Sequence, residues 1–310
     1  MELDQKIESL VKPISEFFTE IIFVSVSLQN NSLPLVVIWL VFASLFFTLY
    51  FRFINIRAFK RAVLVAIGKY DKPNSPGEIT HFQAFTTAMS GTIGLGNIAG
   101  VAVAISIGGP GAMLWMIIMA FFGMTLKFVE VSLGHKYRKI YPDGTVSGGA
   151  IRYLSSGLKE HGFPNLGKFL AVMFAICCIG GSFGGGNMFQ ANQAFQQIII
   201  ASGGENSPFY ERGWLGGLVF AFIVGSIIIG GIKSIGKVTE KLVPIMGGFY
   251  WLACMYIILT NYSLVPETFH VIFINAFSTE ATFGGVIGVM IAGIKRAVFS
   301  NESGICLLYT

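Results

Sequence analysis

Apolar residues in this chain gather into long unbroken runs rather than alternating with polar ones. Runs long enough to cross a hydrocarbon layer about 30 Å thick fall at 34–54, 81–107, 110–134, 167–199, 213–232, 242–261 and 281–300. The pattern therefore predicts seven membrane segments. Ahead of the first, Leu10, Ile14, Phe17, Phe18, Ile21 and Ile22 recur at helical spacing in a charged context. That stretch reads as an amphipathic helix, lying either on the membrane surface or against the bundle.

Composition agrees with the runs. Of 310 residues, 54% are hydrophobic and only 12% are charged, about half the charge of a soluble domain. A disordered chain and an ordinary cytosolic enzyme are excluded. The net charge of +5 could suggest a nucleic-acid partner. Its distribution argues against one, because eighteen of the 21 basic residues fall on one side of the expected spans. They occupy 52–72, 127–168, 233–241 and 295–296, whereas Lys6, Lys12 and Arg212 fall on the other side with nine acids. By the positive-inside rule, the N-terminus lies outside the cytoplasm. No cleavable signal pattern precedes residue 20. Cys177, Cys178, Cys254 and Cys306 lack metal-ligand spacing and read as small core residues.

Two segments are not plain lipid-facing helices. The second carries Gly91, Gly94, Gly96 and Gly100 in mid-span, beside Thr86, Thr87, Ser90, Thr92 and Asn97. Each Gly weakens a helix by about 1 kcal/mol. The cluster suggests a helix unwound near the bilayer centre, whose freed backbone groups must face protein or a water-filled cavity. The other reading is close packing through small residues, of which Gly96-x-x-x-Gly100 is an instance. Gly94-x-Gly96-x-x-Ala99 also fits a loose dinucleotide pattern, but it lacks the preceding strand and the acid about 20 residues on. The fourth segment has Gly180, Gly181 and Gly184 to Gly186 at its middle, then Asn187, Gln190, Gln193 and Gln197 on one helical face. Four amides on one face should line a cavity or a polar helix contact. The four histidines are dispersed, and no nucleophile triad, carboxylate pair or phosphate loop stands out.

The second segment also carries a signature. Phe82-Gln83-Ala84-Phe85, Gly94-x-Gly96-Asn97-Ile98-Ala99-Gly100 and Gly108-Gly109-Pro110-Gly111-Ala112 closely resemble the alanine or glycine:cation symporter family. Lys127-Phe128-x-Glu130, Asp143-Gly144-Thr145, Asn187-Met188-x-Gln190 and Phe299-Ser300-Asn301-Glu302 follow in the order that the family shows. The resemblance covers about 34 to 304. It implies sodium-coupled uptake of alanine or glycine, with sodium as coupling ion and no other cofactor. It implies a multi-pass protein of the cell membrane, a transporter and not an enzyme.

The implied architecture is an all-α membrane protein with the leucine-transporter-like inverted-repeat fold, two five-helix repeats each opening on a broken helix. On this chain it becomes an external amphipathic segment at 1–33 and an extra transmembrane helix at 34–54. The first repeat is 81–261, with an external loop at 262–280 and the start of the second repeat at 281–310. Backbone around Ile93, Gly94, Leu95 and Gly96 is expected to hold the substrate carboxylate through free N–H groups. Asn97 is assigned to substrate or sodium, Thr92 to sodium, Gln190 to the pocket and Asn301 to the second break. After Gly304 the chain departs from the family, with Ile305 to Thr310 in place of the family's continuation. This leads to the expectation of a truncated product read there in a shifted frame and transporting nothing alone. Such a transport-inactive fragment, or a membrane subunit that needs a partner chain, is the alternative to the symport reading.

Overall fold

A computed structural model describes residues 9, 12–13, 16, 24–28, 31–71, 77–182, 187–210, 212–278 and 285–300. The expected amphipathic helix at 10–22 lies almost wholly outside the described residues. Just after it the chain forms an antiparallel hairpin, β1 (Ser25–Leu28) with β2 (Asn31–Pro34), pairing Val26 with Leu33. The Ser-Val-Ser-Leu alternation is the period-two signal for it.

Helices follow in chain order. They are α1 (Leu35–Tyr50), α2 (Phe59–Ala66), α3 (His81–Thr92), α4 (Ala99–Gly108), α5 (Ala112–Lys136), α6 (Pro164–Gly181), α7 (Phe189–Ala201), α8 (Gly213–Ile228), α9 (Gly231–Thr260), α10 (Val265–Phe277) and α11 (Gly285–Ser300). A second hairpin, β3 (Lys139–Ile140) with β4 (Val146–Ser147), leads from α5 to an irregular helical stretch at 150–160. Thus the chain is mainly α-helical, as expected. Among the described residues three helices, α5, α6 and α9, are long and apolar enough to cross a membrane, while α1, α4 and α8 are shorter apolar helices. Phe222, Ile229 and Phe249 are 80%, 89% and 77% exposed. Apolar surface on this scale requires a bilayer to cover it.

Three sequence expectations change. The connection 262–280 contains α10, which Pro266 starts from its first turn, where a missing N–H costs nothing. The sixth segment begins at Gly231 rather than 242, because Lys233, Lys237 and Lys241 are four apart and can share one helical face. Cys177 is exposed and Cys178 and Cys254 are half-exposed, so these three are not core residues; Cys306 lies outside the described residues.

The chain divides into two compact units. One comprises Met1–Arg57, Gly96–Lys127 and Thr260–Glu302. Its core is Ala104, Ala112, Met116, Met119, Val289 and Ala297. Small residues let α4, α5 and α11 approach: a Cβ on Gly108 would stand 2.8 Å from that of Ala292, and one on Gly293 would stand 2.5 Å from the Ala112 carbonyl. Gly111 is tighter still, 2.3 Å from the Ala276 nitrogen, and Trp115 Nε1 donates to the Ala276 carbonyl at 3.2 Å.

The other unit comprises Ala58–Leu95, Phe128–Leu259 and Ser303–Thr310. Here the Val146 N–H donates to Glu78 Oε1 at 2.8 Å, tying the β3–β4 hairpin to the approach to α3. Arg152 braces the same hairpin through Tyr141 Oη at 2.6 Å and Ser147 Oγ at 3.0 Å. Gly216 of α8 admits the Phe195 ring of α7, which a Cβ would meet at 2.1 Å.

Candidate functional site

The expected second segment is two helices, not one. The first, α3, is launched by a capping box. Thr80 Oγ1 accepts from the Gln83 N–H, and Gln83 Oε1 accepts from the Thr80 N–H, both at 3.2 Å. Such a cap is worth about 1 kcal/mol. It fixes where the helix starts, so its end at Thr92 reflects the sequence that follows. The Ile93 N–H still reaches the Met89 carbonyl at 2.7 Å, but Ile93 adopts φ −85° and ψ 74°, which no α-helix continues. Residues 93–98 are non-helical, and α4 resumes at Ala99.

Among the expected site residues, Ile93, Gly94, Leu95, Gly96 and Asn97 all fall in this interruption, and Thr92 closes α3. Thr92 Oγ1 donates back toward the Ala88 and Met89 carbonyls at 3.4 and 3.3 Å; a hydroxyl oxygen is by nature an acceptor as well. Asn97 is exposed, and Ile93 to Gly96 are half-buried. Gly94 and Gly96 are not among the glycines with positive φ. A Cβ on Gly94 would meet nothing nearer than the Gly91 carbonyl at 3.5 Å, an ordinary contact.

The ends of the two helices differ in chemistry. At the C-terminus of α3 the last carbonyls lack intrahelical donors, and the end carries partial negative charge. At the N-terminus of α4 the first N–H groups lack acceptors, and the end carries partial positive charge. The first suits a cation or an ammonium, the second a carboxylate.

Gln190 is half-buried on α7, as is Gln193, while Asn187 and Gln197 are exposed. Asn301 lies outside the described residues. Among the described residues no group of three His, Cys, Asp or Glu could hold a metal ion.

A polar seam that sequence reasoning did not find seats α3 on α9. Gln83 Nε2 donates to Glu240 Oε2 at 2.8 Å, and the Thr87 and Thr239 hydroxyls bond at 3.0 Å. Gly236 makes room for the approach: a Cβ there would be 3.3 Å from Ile79 Cγ2 and 3.4 Å from Gln83 Cβ. Further along, a Cβ on Gly247 would be 3.8 Å from Ile93 Cδ1. Gln83 and Thr87 are four apart on one face of α3, and Ile79 lies just ahead of the helix. The spacing is visible in the sequence; the partner is not.

Comparison with known proteins adds the family. The model of the sodium:alanine symporter family matches residues 16–306. The sodium/alanine symporter AgcS of Methanococcus maripaludis is 42% identical over 287 residues, which is 91% of this chain and 61% of that protein. The amino-acid carrier protein AlsT of Bacillus subtilis is 34% identical, over 84% of this chain and 52% of its own length. The probable sodium/glutamine symporter GlnT of the same organism is 32% identical, over 90% and 56%. The chain therefore spans between half and two thirds of the length of these relatives.

Proposed function

The chain belongs to the sodium:alanine symporter family, and on that premise we propose that it serves sodium-coupled uptake of a small amino acid, alanine or glycine, across the cell membrane. The family is one of transporters rather than enzymes, and sodium is its coupling ion. The observation that carries the reading for this chain is the interruption at 93–98. It offers carbonyls and N–H groups of opposite polarity within otherwise apolar sequence. A small zwitterion has one ammonium and one carboxylate to match.

In this reading, backbone around Ile93, Gly94, Leu95 and Gly96 receives the carboxylate through the N–H groups of Gly94, Leu95 and Gly96, the Ile93 N–H being held by the Met89 carbonyl. Thr92 Oγ1 and the Asn97 side-chain oxygen are hard donors of the kind a sodium ion takes, and Asn97 also reaches substrate. Gln190 on α7 is a further candidate for substrate contact, and the resemblance assigns Asn301 to the second break. The surrounding architecture is the leucine-transporter-like pair of inverted repeats, the first beginning at α3 and the second at α11, with an external N-terminus. Sodium running down its own gradient supplies the free energy that moves the substrate up its gradient, and the coupling requires that sodium and substrate bind better together than apart. The relatives' printed substrates differ, alanine for one and glutamine for another. Alanine or glycine is preferred here because the sodium/alanine symporter is 42% identical to this chain and the probable glutamine symporter 32%.

The test is uptake of labelled alanine into proteoliposomes holding the purified protein. An inward sodium gradient is expected to drive accumulation above the external concentration, and potassium in its place is not. Equal uptake in both salts would overturn the proposal.

A further inference from the structure

We propose that Glu240 is a positioning residue: through Gln83 it seats α3 on α9 and so sets the exposure of Ile93, where the interruption begins. The inference rests on the reading of that interruption as the substrate site, but its structural half stands apart from it.

The geometry makes Gln83 a fork with two fixed prongs. Its Oε1 is committed to the Thr80 N–H at 3.2 Å. The amide can then present only Nε2 on its other side, and that nitrogen donates to Glu240 Oε2 at 2.8 Å. An amide nitrogen has no acceptor role, so the partner at 240 must accept. Glu240 does so with a carboxylate oxygen. The cap that begins α3 and the bond that docks it are thus the same side chain. A shift of α3 along α9 breaks the docking bond while leaving the cap intact, and the cap keeps the amide oriented for its return.

The bond acts at a distance along a rigid element. Gln83 and Ile93 are ten residues apart, and α3 runs unbroken to Thr92, so the separation is about 15 Å along its axis. The seam continues through Thr87 and Thr239 and ends at Ile93 beside Gly247. A helix of this length moves as one body when one end is released. Pro244 lies in α9 four residues beyond Glu240. Lacking an N–H, it leaves the Glu240 carbonyl without its intrahelical donor. The docking carboxylate therefore sits at the start of the bendable part of α9, where a displaced α3 can be followed or released.

The roles can be exchanged, and this gives the test. Gln83→Glu keeps the Thr80 cap, because a carboxylate accepts as well as an amide oxygen does. It also sets two carboxylates face to face, which is repulsive. Gln83→Glu combined with Glu240→Gln restores one donor and one acceptor with the direction reversed. The probe is a cysteine in place of Ile93 in a background lacking the native cysteines, labelled with a membrane-permeant maleimide in the whole protein. The sodium dependence of alanine binding is measured in parallel. Gln83→Glu is expected to change the labelling rate by about fivefold or more, the lower end of coupling between distant sites. The reciprocal pair is expected to return it to the parental rate. Labelling unmoved by Gln83→Glu, or not restored by the exchange, would overturn the positioning role. Unfolding would show as labelling of a buried control cysteine at Val243, and in that case Glu240→Gln alone, expected to move the rate in the same direction by less, decides the matter. Labelling that follows the exchange while alanine binding is absent in every variant, and also in the protein that keeps Ile93, would overturn the functional reading and leave the seating of α3 standing.

Discussion

Gly94 shows how a single residue separates packing from function. Its φ does not demand glycine, and a Cβ there would meet only carbonyls at 3.5 and 4.0 Å. The protein's own interior thus gives no reason for glycine at 94. Open backbone is what an approaching carboxylate needs. Gly94→Ala is therefore expected to leave thermal stability within about 0.5 kcal/mol of the wild type while weakening sodium-dependent alanine binding about tenfold, the loss of one hydrogen bond to a charged group. Equal binding in wild type and variant would return Gly94 to mere sequence. Asn97→Ala is expected to weaken alanine binding, with no loss of protein from the membrane fraction. The interruption was legible in the sequence because glycine and hydroxyl residues are costly in a lipid-facing helix, and their clustering at 90–97 needs another cause. Gln83 and Glu240 were not legible as a pair, since only folding sets residues 157 apart in sequence within 2.8 Å.

Glycines in the helices sort by what surrounds them. A Cβ on Gly111 would lie 2.3 Å from backbone of α10, whereas one on Gly225 in α8 would meet nothing within 4 Å. Backbone cannot yield as a flexible side chain does. Gly111→Ala is expected to lower the thermal midpoint in detergent, by overpacking of about 1–3 kcal/mol. Gly225→Ala is expected to hold or raise it, since Ala favours the helix by up to about 1 kcal/mol. A midpoint that falls equally for both would contradict the contact. Among the hairpins, β3–β4 turns on Asp143, whose Oδ1 accepts from the Thr145 hydroxyl at 2.7 Å and N–H at 3.0 Å. These bonds hold the Asp143 carboxyl below its ordinary pKa. A lowered carboxylate pKa gives order that is complete above the ordinary value and lost as pH falls through the lowered one. Protease cleavage at 139–147 is expected to rise on acidification through that window in the wild type and to be pH-insensitive there in Asp143→Asn. The helices of the long apolar runs were legible as elements, and the interruption after Thr92 follows from its composition. The β1–β2 hairpin and α10 were missed because a search for long runs passes over a four-residue alternation and a 13-residue helix.

At the scale of the whole molecule, the distribution of basic residues and the exposed apolar side chains describe one object, a helical protein whose surface needs lipid. Lys69 and Glu205 are both exposed and fall on opposite sides of the membrane in the reading from charge. A cysteine at 205 is expected to react with an impermeant maleimide added to intact cells, and one at 69 only after permeabilisation. The reverse would invert the topology. The expectation of inverted repeats rests on the resemblance alone, because symmetry between repeats leaves no periodic mark in the sequence of either. The central claim is that the interruption at 93–98 binds alanine and sodium together. Linkage makes this a reciprocal statement: the factor by which sodium tightens alanine must equal the factor by which alanine tightens sodium. The most direct measurement is equilibrium binding of labelled alanine to the purified protein across a sodium series, repeated with labelled sodium across an alanine series. The account predicts equal factors of about fivefold or more in wild type and a collapse of both in Asn97→Ala. Alanine affinity identical in sodium and in potassium would contradict it.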